Sequence, residues 1–256
     1  MQYIASLSYG KDSCAMLEII KRNGMPLDRI VHVEIMATDA IPADLPPMME
    51  FKAKADKIIK ERYGIEVEHL RAEKSYEKLF YTKRSKGNRA GTIIGWPMIR
   101  GSECQSKLKM PPMRKIEKDN ICYIGIAADE PNRFHNLTDR KISPLVEYGV
   151  TEAEARKMCE NLDLLSPIYT QSARGGCWFC HNQPVNQLRL LRKQYPEYWA
   201  LMLKWDKDSP VTFHADGHTV HDFDERFQLE DEGLLIANDK TFRWNMLNQE
   251  LSYRLF

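Results

Sequence analysis

Ser8-Tyr9-Gly10-Lys11-Asp12-Ser13 places two hydroxyls, a glycine, a cation and a carboxylate between a short apolar run, QYIASLS, and an amphipathic stretch, CAMLEIIKRNG. That order of residue types suits a phosphate. The first turn of a helix presents unpaired N–H groups and a partial positive charge. Gly10 lets the backbone come close to an anion, Ser8 and Ser13 supply hydroxyl donors, and Lys11 adds charge. The pattern GxxxxGK[ST] is absent, so this is not a Walker A loop. A tight strand-to-helix turn capped by Asp12 or Ser13 accounts for the same residues without a ligand.

Sulfur forms the second group. Cysteines stand at 14, 104, 122, 159, 177 and 180. Cys177-Trp178-Phe179-Cys180 follows a Gly-Gly turn, and CxxC spacing reads as a metal half-site, a redox pair or coincidence. Cys104 lies in a polar loop, SECQSK, with lysines nearby, where a thiol calls for an explanation. A structural zinc on Cys177 and Cys180 would need two more ligands, for which His214 and His218 are candidates. Otherwise His218 and His221 read as surface histidines. Cys14, Cys122 and Cys159 fall in apolar stretches and read as small core residues.

Asp39, in MATDA, follows a predicted strand. It suits a ribose, an adenine or Mg²⁺, and equally a turn. Glu130 and Arg133 follow a later strand. Arg133 suits a phosphate or sulfate, and the plainer reading is a surface ion pair. The run Lys83, Arg84, Lys86, Arg89 and Arg100, with Trp96 among them, would track a nucleic-acid backbone. Solvated loop charge is the favoured reading.

The elements that must position these groups follow from periodicity. Residues 2–8, 30–38, 65–72 and 121–128 read as strands. Residues 14–24, 50–64 and 151–165 read as helices, the last with Thr151 as N-cap and Glu154 completing a capping box. A helix begins within 110–118, residues 81–91 read as a flexible loop, and the chain beyond 184 turns helical. The tail from 211 is poorly specified. The βαβαβ alternation predicts an α/β fold with a mainly parallel sheet.

Lys+Arg number 37 and Asp+Glu 36, a net charge of +1, which argues against coating nucleic acid by bulk charge but permits a local basic groove. No apolar run approaches the ~20 residues of a membrane span. MQYIASLSYG lacks the charged start and long apolar core of a signal peptide. The expectation is a cytoplasmic protein whose cysteines are thiols or metal ligands rather than disulfides.

SYGKDS resembles the SxGxDS pyrophosphate loop of N-type ATP pyrophosphatases, specifically their phosphoadenosine phosphosulfate (PAPS) reductase-like branch, with Tyr9 in place of the first glycine of SGGKDS. Further motifs follow in order. MATDAIPADLPPMMEFKAKADKIIKERYGIEVEHL is similar to the family's second strand, acidic turn and helix. Gly101-Ser102-Glu103-Cys104 with Lys107, Lys109 and Pro111–Pro112 resembles C-T-x-x-x-K-x-x-P. YIGIAADEPNR resembles G-x-R-x-x-E-S-x-x-R, with Ala127 at the usual arginine and Pro131 at the serine. ISPLVEYGVTEAEA looks like P-L-x-x-W-x-x-x-D-V, and SPIYTQSARGGCWFC looks like the closing P-L-Y-x-x-G-x-x-R-x-G-C-x-x-C motif, in which Arg174 matches the arginine.

The resemblance covers residues 2–185. It implies a Rossmann-like, five-stranded parallel sheet (adenine nucleotide alpha hydrolase-like) over 1–183, with the nucleotide at the strands' C-terminal edge. A helical and irregular extension over 184–256 is expected to pack on it. It implies a nucleotide site of Ser8, Tyr9, Gly10, Lys11, Asp12, Ser13, Asp39 and Glu130, with Lys11, Asp12, Arg133 and Arg174 acting on the phosphates. Cys104, Cys177 and Cys180 become ligands of a [4Fe-4S] cluster, with zinc as the alternative.

The implied activity is that of an ATP pyrophosphatase. It uses ATP and Mg²⁺ to adenylate an acceptor, a nucleic acid or a small molecule, which then receives sulfur from a cysteine desulfurase or other donor. Homo-oligomers are compatible with this. Reduction of PAPS or adenylyl sulfate ranks lower, because that reaction uses a cysteine in a C-terminal E-C-G-L-H-like tail and no cysteine follows Cys180. A non-catalytic nucleotide-binding subunit is the third alternative.

Overall fold

The computed structural model describes residues 1–96, 103–170, 176–214 and 216–237. The elements run β1 (Tyr3–Ser6), α1 (Lys11–Arg22), β2 (Arg29–Glu34), α2 (Pro46–Tyr63), β3 (Val67–Arg71) and α3 (Tyr76–Phe80). A π-helical turn, Gln105–Lys109, leads into α4 (Met110–Glu117), followed by β4 (Ile121–Ile124), β5 (Lys141–Ile142) and α5 (Pro144–Glu147). Then come α6 (Glu152–Asn161), α7 (Val185–Gln194), α8 (Pro196–Asp208) and α9 (Val220–Asp231). None of the described helices is long and apolar enough to cross a membrane.

The chain divides into two compact units, Met1–Tyr76 with Cys104–Cys177, and Glu77–Glu103 with Trp178–Phe256. The first carries the predicted α/β fold. Its five strands are all parallel, in the order β3-β2-β1-β4-β5. Alternating side chains serve two faces. Ala5, Ile30 and Tyr123 pack with Cys14, Leu17 and Ile20 of α1, and with Ala155 of α6. Ile4, Val31 and Cys122 pack with Met113 of α4 on the other face. Helices cover both sides of the sheet, as parallel sheets require.

Several predicted boundaries shift for local reasons. α1 begins at Lys11 rather than Cys14, because the phosphate-loop residues themselves form its first turn. α2 begins at Pro46, where two prolines occupy its opening positions and lose no hydrogen bond. The capping box of α6 is formed as predicted: the Thr151 hydroxyl accepts from the Glu154 N–H, and Glu154 accepts from the Thr151 N–H. β5, with two residues, is too short to announce itself by alternation.

The second unit is built on aromatic packing. Trp205 of α8 stacks on Trp178 with ring centroids 5.8 Å apart, and Trp96 meets it edge-on at 6.1 Å. Buried Asp206 accepts from Trp96 Nε1 at 2.8 Å and faces His221 Nδ1 at 2.7 Å. Trp96 is fully buried, so it is a core residue rather than a stacking platform beside the basic loop. Arg84 of that loop pairs with Glu103 at 3.1 Å, and Arg100 lies outside the described residues. α9 organises part of the tail through a second capping box, Thr219 with Asp222.

Candidate nucleotide site

In the first unit the strand order reverses between β1 and β4, since the chain builds outward from β1 first toward β3 and later toward β5. Open α/β sheets bind ligands outside the carboxyl ends of the strands at this switch point. A cavity of about 400 Å³ lies there. The β1–α1 loop lines it with Ser8, Tyr9, Gly10, Asp12 and Ser13; Gly125 contributes from the end of β4 and Arg133 from the turn beyond. Ile168, Tyr169, Gly176 and Cys177 line it from the later segment.

The loop is tied to itself. Ser13 Oγ accepts from the Ser8 N–H at 3.1 Å, lies 3.0 Å from Ser8 Oγ, and donates to the Gly10 carbonyl at 3.0 Å. Gly10 leaves only a tight fit for a side chain, which the neighbouring side chains would meet by giving a few tenths of an ångström. A Cβ there would sit 3.3 Å from Tyr169 Oη and 3.4 Å from Ser8 Oγ. Tyr169 Oη accepts from the Lys11 N–H at 3.0 Å, so a phenol oxygen occupies one anion-seeking position at the start of α1. Burial holds this phenol above its ordinary range. Tyr169 lies in the SPIYT segment, and its motif position was the only sequence signal for it.

Tyr9 takes a left-handed backbone, φ +57°, yet its side chain is fully buried. Its hydroxyl donates to Asp56 and lies 3.2 Å from His69 Nε2. Burial first, then the Asp56 carboxylate, pushes the phenol far above its ordinary range. The Tyr9 ring therefore serves as an anchor beneath the loop.

Lys11 is not among the cavity-lining residues. Its ammonium reaches Asp12 at 2.8 Å and Glu152 at 2.5 Å. Burial opposes the charge on Lys11, but the bonds to these carboxylates more than offset it and raise its pKa. Burial likewise raises Asp12, against the pull of Lys11. Asp12, Glu130 and Glu152 have carboxylate oxygens within 4.8 Å of one another, close enough together for a metal ion, and the Lys11 ammonium bonds two of them. Arg133 pairs with Glu130 at 2.8 Å while lining the cavity. Asp39 is exposed on a turn and does not line it, whereas Asp44, further along that connection, does. Arg174 lies outside the described residues.

Cys177, half-buried, lines the cavity. Cys104, also half-buried, opens the π-helical turn that carries Lys109 to the cavity wall. Cys180 belongs to the second unit and is half-buried there. His214 and His218 each face a carboxylate, Asp216 at 3.4 Å and Asp222 at 3.5 Å. Cys14 and Cys159 are fully buried and Cys122 nearly so, as expected of core residues.

His32 on β2 escaped the sequence reading because it sits inside an apolar strand. Its Nδ1 is 2.9 Å from the Leu7 carbonyl, so Nδ1 carries the proton, and Nε2 accepts from Lys52 at 2.8 Å. Burial, with the Lys52 charge adding, pushes His32 down to about 3. The unfolded chain then holds one more proton than the native one between about pH 6.5 and about 3. The contribution of His32 to stability is complete above pH 6.5 and falls with pH across that window, by at most about 1.4 kcal/mol per pH unit. Urea unfolding should show wild type losing about 2 kcal/mol relative to His32→Gln between pH 6.5 and 4.5. A pH-independent difference would mean that His32 is not held neutral.

No protein-family model matches the sequence, and no curated protein does. Among solved structures the chain is similar to "U34-tRNA thiolase NcsA from Methanococcus maripaludis with its [4Fe-4S] cluster", at 14% identity and a TM-score of 0.41, over 94% of this chain and 84% of that one.

Proposed function

We propose that this protein binds ATP at the switch-point cavity, cleaves it between the α and β phosphates to adenylate an acceptor, and exchanges the adenylate for sulfur. The observation that carries this reading is one cavity lined both by residues of the loop at the start of α1 (Ser8, Tyr9, Gly10, Asp12 and Ser13) and by Cys177. In this reading phosphate chemistry and sulfur chemistry share one space. The PAPS reductase-like motifs of the sequence agree with the nucleotide half of this assignment.

In this reading the α1 N-terminus and the Ser8 and Ser13 hydroxyls hold the β and γ phosphates. Lys109 and Arg133 supply cationic charge from the cavity wall, and Asp12, Glu130 and Glu152 are the carboxylates that would hold Mg²⁺, which would supply charge for the phosphates. An acceptor oxygen attacks the α-phosphorus, the bond to the bridging oxygen breaks, and pyrophosphate leaves into the loop. A sulfur nucleophile then attacks the activated carbon, and AMP departs with the former acceptor oxygen. Cys104, Cys177 and Cys180 are the thiols that would hold a [4Fe-4S] cluster, which when bound supplies an iron site for sulfur; zinc on the CxxC pair is the alternative. The acceptor class is a nucleic acid or a small molecule.

Two measurements test this. ATP mixed with protein and candidate acceptors should release AMP and pyrophosphate in equal amounts; failure to bind either ATP or pyrophosphate would overturn the reading. Anaerobically purified protein should carry iron and sulfide with a broad absorption near ~400 nm that is lost in Cys177→Ser. Sulfur transfer that survives Cys177→Ser and Cys180→Ser would remove the cysteines from the reaction.

A further inference from the structure

The nucleotide loop accounts for one part of the cavity. Another part of its lining is made by His32, Asp44 and Lys52, with Val33, Ile35 and Met48 as apolar neighbours. Lys52 is 3% exposed, an unusual position for a lysine unless it is paired. Its ammonium donates to Asp44 Oδ2 at 2.5 Å and to His32 Nε2 at 2.8 Å. It also lies 5.4 Å from the centre of the Tyr9 ring. His32 is itself locked by the Leu7 carbonyl at 2.9 Å. A lysine ammonium has three N–H donors; two are spent on these partners, and Lys52 is among the residues that line the cavity. Asp44 has a second oxygen, and its side chain is 25% exposed and lines the same cavity.

The subsite therefore offers a charged donor beside a charged acceptor, between apolar walls, at a position fixed by a locked histidine. A flat ring with an acceptor next to a donor matches it. The edge of adenine has this arrangement: a 6-amino group that donates, flanked by ring nitrogens that accept. A second phosphate does not match, because Asp44 would repel it.

Resting on the nucleotide reading above, we propose that Asp44 and Lys52, held by His32, form the nucleobase subsite. Asp44 accepts from the 6-amino group and Lys52 donates to the adjacent ring nitrogen. The pair fixes the base by its polar edge, and the loop at Ser8–Ser13 holds the other end of the nucleotide. Nucleobase selection then lies with these residues rather than with Asp39.

The test compares ATP, purine riboside triphosphate (which lacks only the 6-amino group) and pyrophosphate by calorimetric titration of the full chain. Wild type should bind ATP about 10- to 100-fold more tightly than purine riboside triphosphate, the range for a hydrogen bond to a charged group. In Asp44→Asn that ratio should fall severalfold. In Lys52→Met the loss of affinity for ATP should exceed the loss for pyrophosphate by about tenfold or more. Equal wild-type affinity for the two triphosphates overturns the proposal without any variant, so poor folding of Lys52→Met would not shield it. Wild type that binds pyrophosphate and ATP but shows no such preference defeats this subsite alone. Wild type that binds neither defeats the nucleotide reading and the subsite with it.

Discussion

Gly125→Ala should lower the free energy of unfolding by about 2–3 kcal/mol and remove measurable ATP affinity. A Cβ at residue 125 would lie 2.6 Å from the Ser13 nitrogen and 2.8 Å from both the Asp12 carbonyl carbon and Ser13 Cα. All three are backbone atoms, so no side chain can swing aside. Either the end of β4 or the first turn of α1 must move. That turn carries the Lys11 N–H that meets Tyr169 Oη, and there Ser13 ties Ser8 and Gly10 together. A displacement of a few tenths of an ångström disturbs the loop's internal bonds as well as the strand–helix contact. Urea unfolding and a calorimetric ATP titration measure the two effects separately. Wild-type values for both would mean that β4 and α1 have slack between them.

The stability cost exceeds that of an ordinary glycine substitution because the clash lies at the switch point. β4 pairs with β1 in parallel over Tyr3–Ser6, and α1 follows β1 after only a short loop. The sheet register and the helix start are thus fixed by the same few residues.

The parallel sheet and the helix N-terminus were legible in the sequence because each depends on local periodicity or on residue types with strong positional rules; a site at the strands' C-terminal edge was an expectation from the motif resemblance. Ser8, Gly10 and Ser13 declared a loop; Thr151 and Glu154 declared a cap. His32, Lys52 and Asp44 did not declare themselves. Their role arises from β2, α2 and the connection between them meeting in space, and a lysine in EFKAKADKIIKE reads as one more surface charge. Lys11 shows the opposite problem: it looked like a phosphate ligand, and in the folded chain it is held between Asp12 and Glu152. Sequence order placed Glu152 far from the loop, and only the packing of α1 against α6 brings it there.

Tyr9→Gly is expected to destabilise the protein by about 2–3 kcal/mol, although glycine is the residue its backbone conformation favours. A left-handed φ of +57° costs a residue with a Cβ roughly 1–2 kcal/mol, and glycine would recover that. The ring it would remove is fully buried, meets His32 edge-on with centroids 4.8 Å apart, and carries a hydroxyl bound to Asp56. Deleting a buried aromatic side chain typically costs about 3–5 kcal/mol, so packing outweighs the backbone strain. Tyr9→Phe separates the two contributions. It keeps the ring and loses the hydroxyl, and because Asp56 and His69 are each about one-third exposed, water can replace the lost bond for about 1 kcal/mol or less. Chemical unfolding of both variants should therefore rank wild type above Tyr9→Phe and Tyr9→Phe above Tyr9→Gly. A Tyr9→Gly protein as stable as wild type would show that relief of backbone strain dominates and that the ring adds little. The predicted order would instead explain how a tyrosine occupies a glycine's place in a phosphate loop: the backbone strain is held by an anchor of greater strength beneath it.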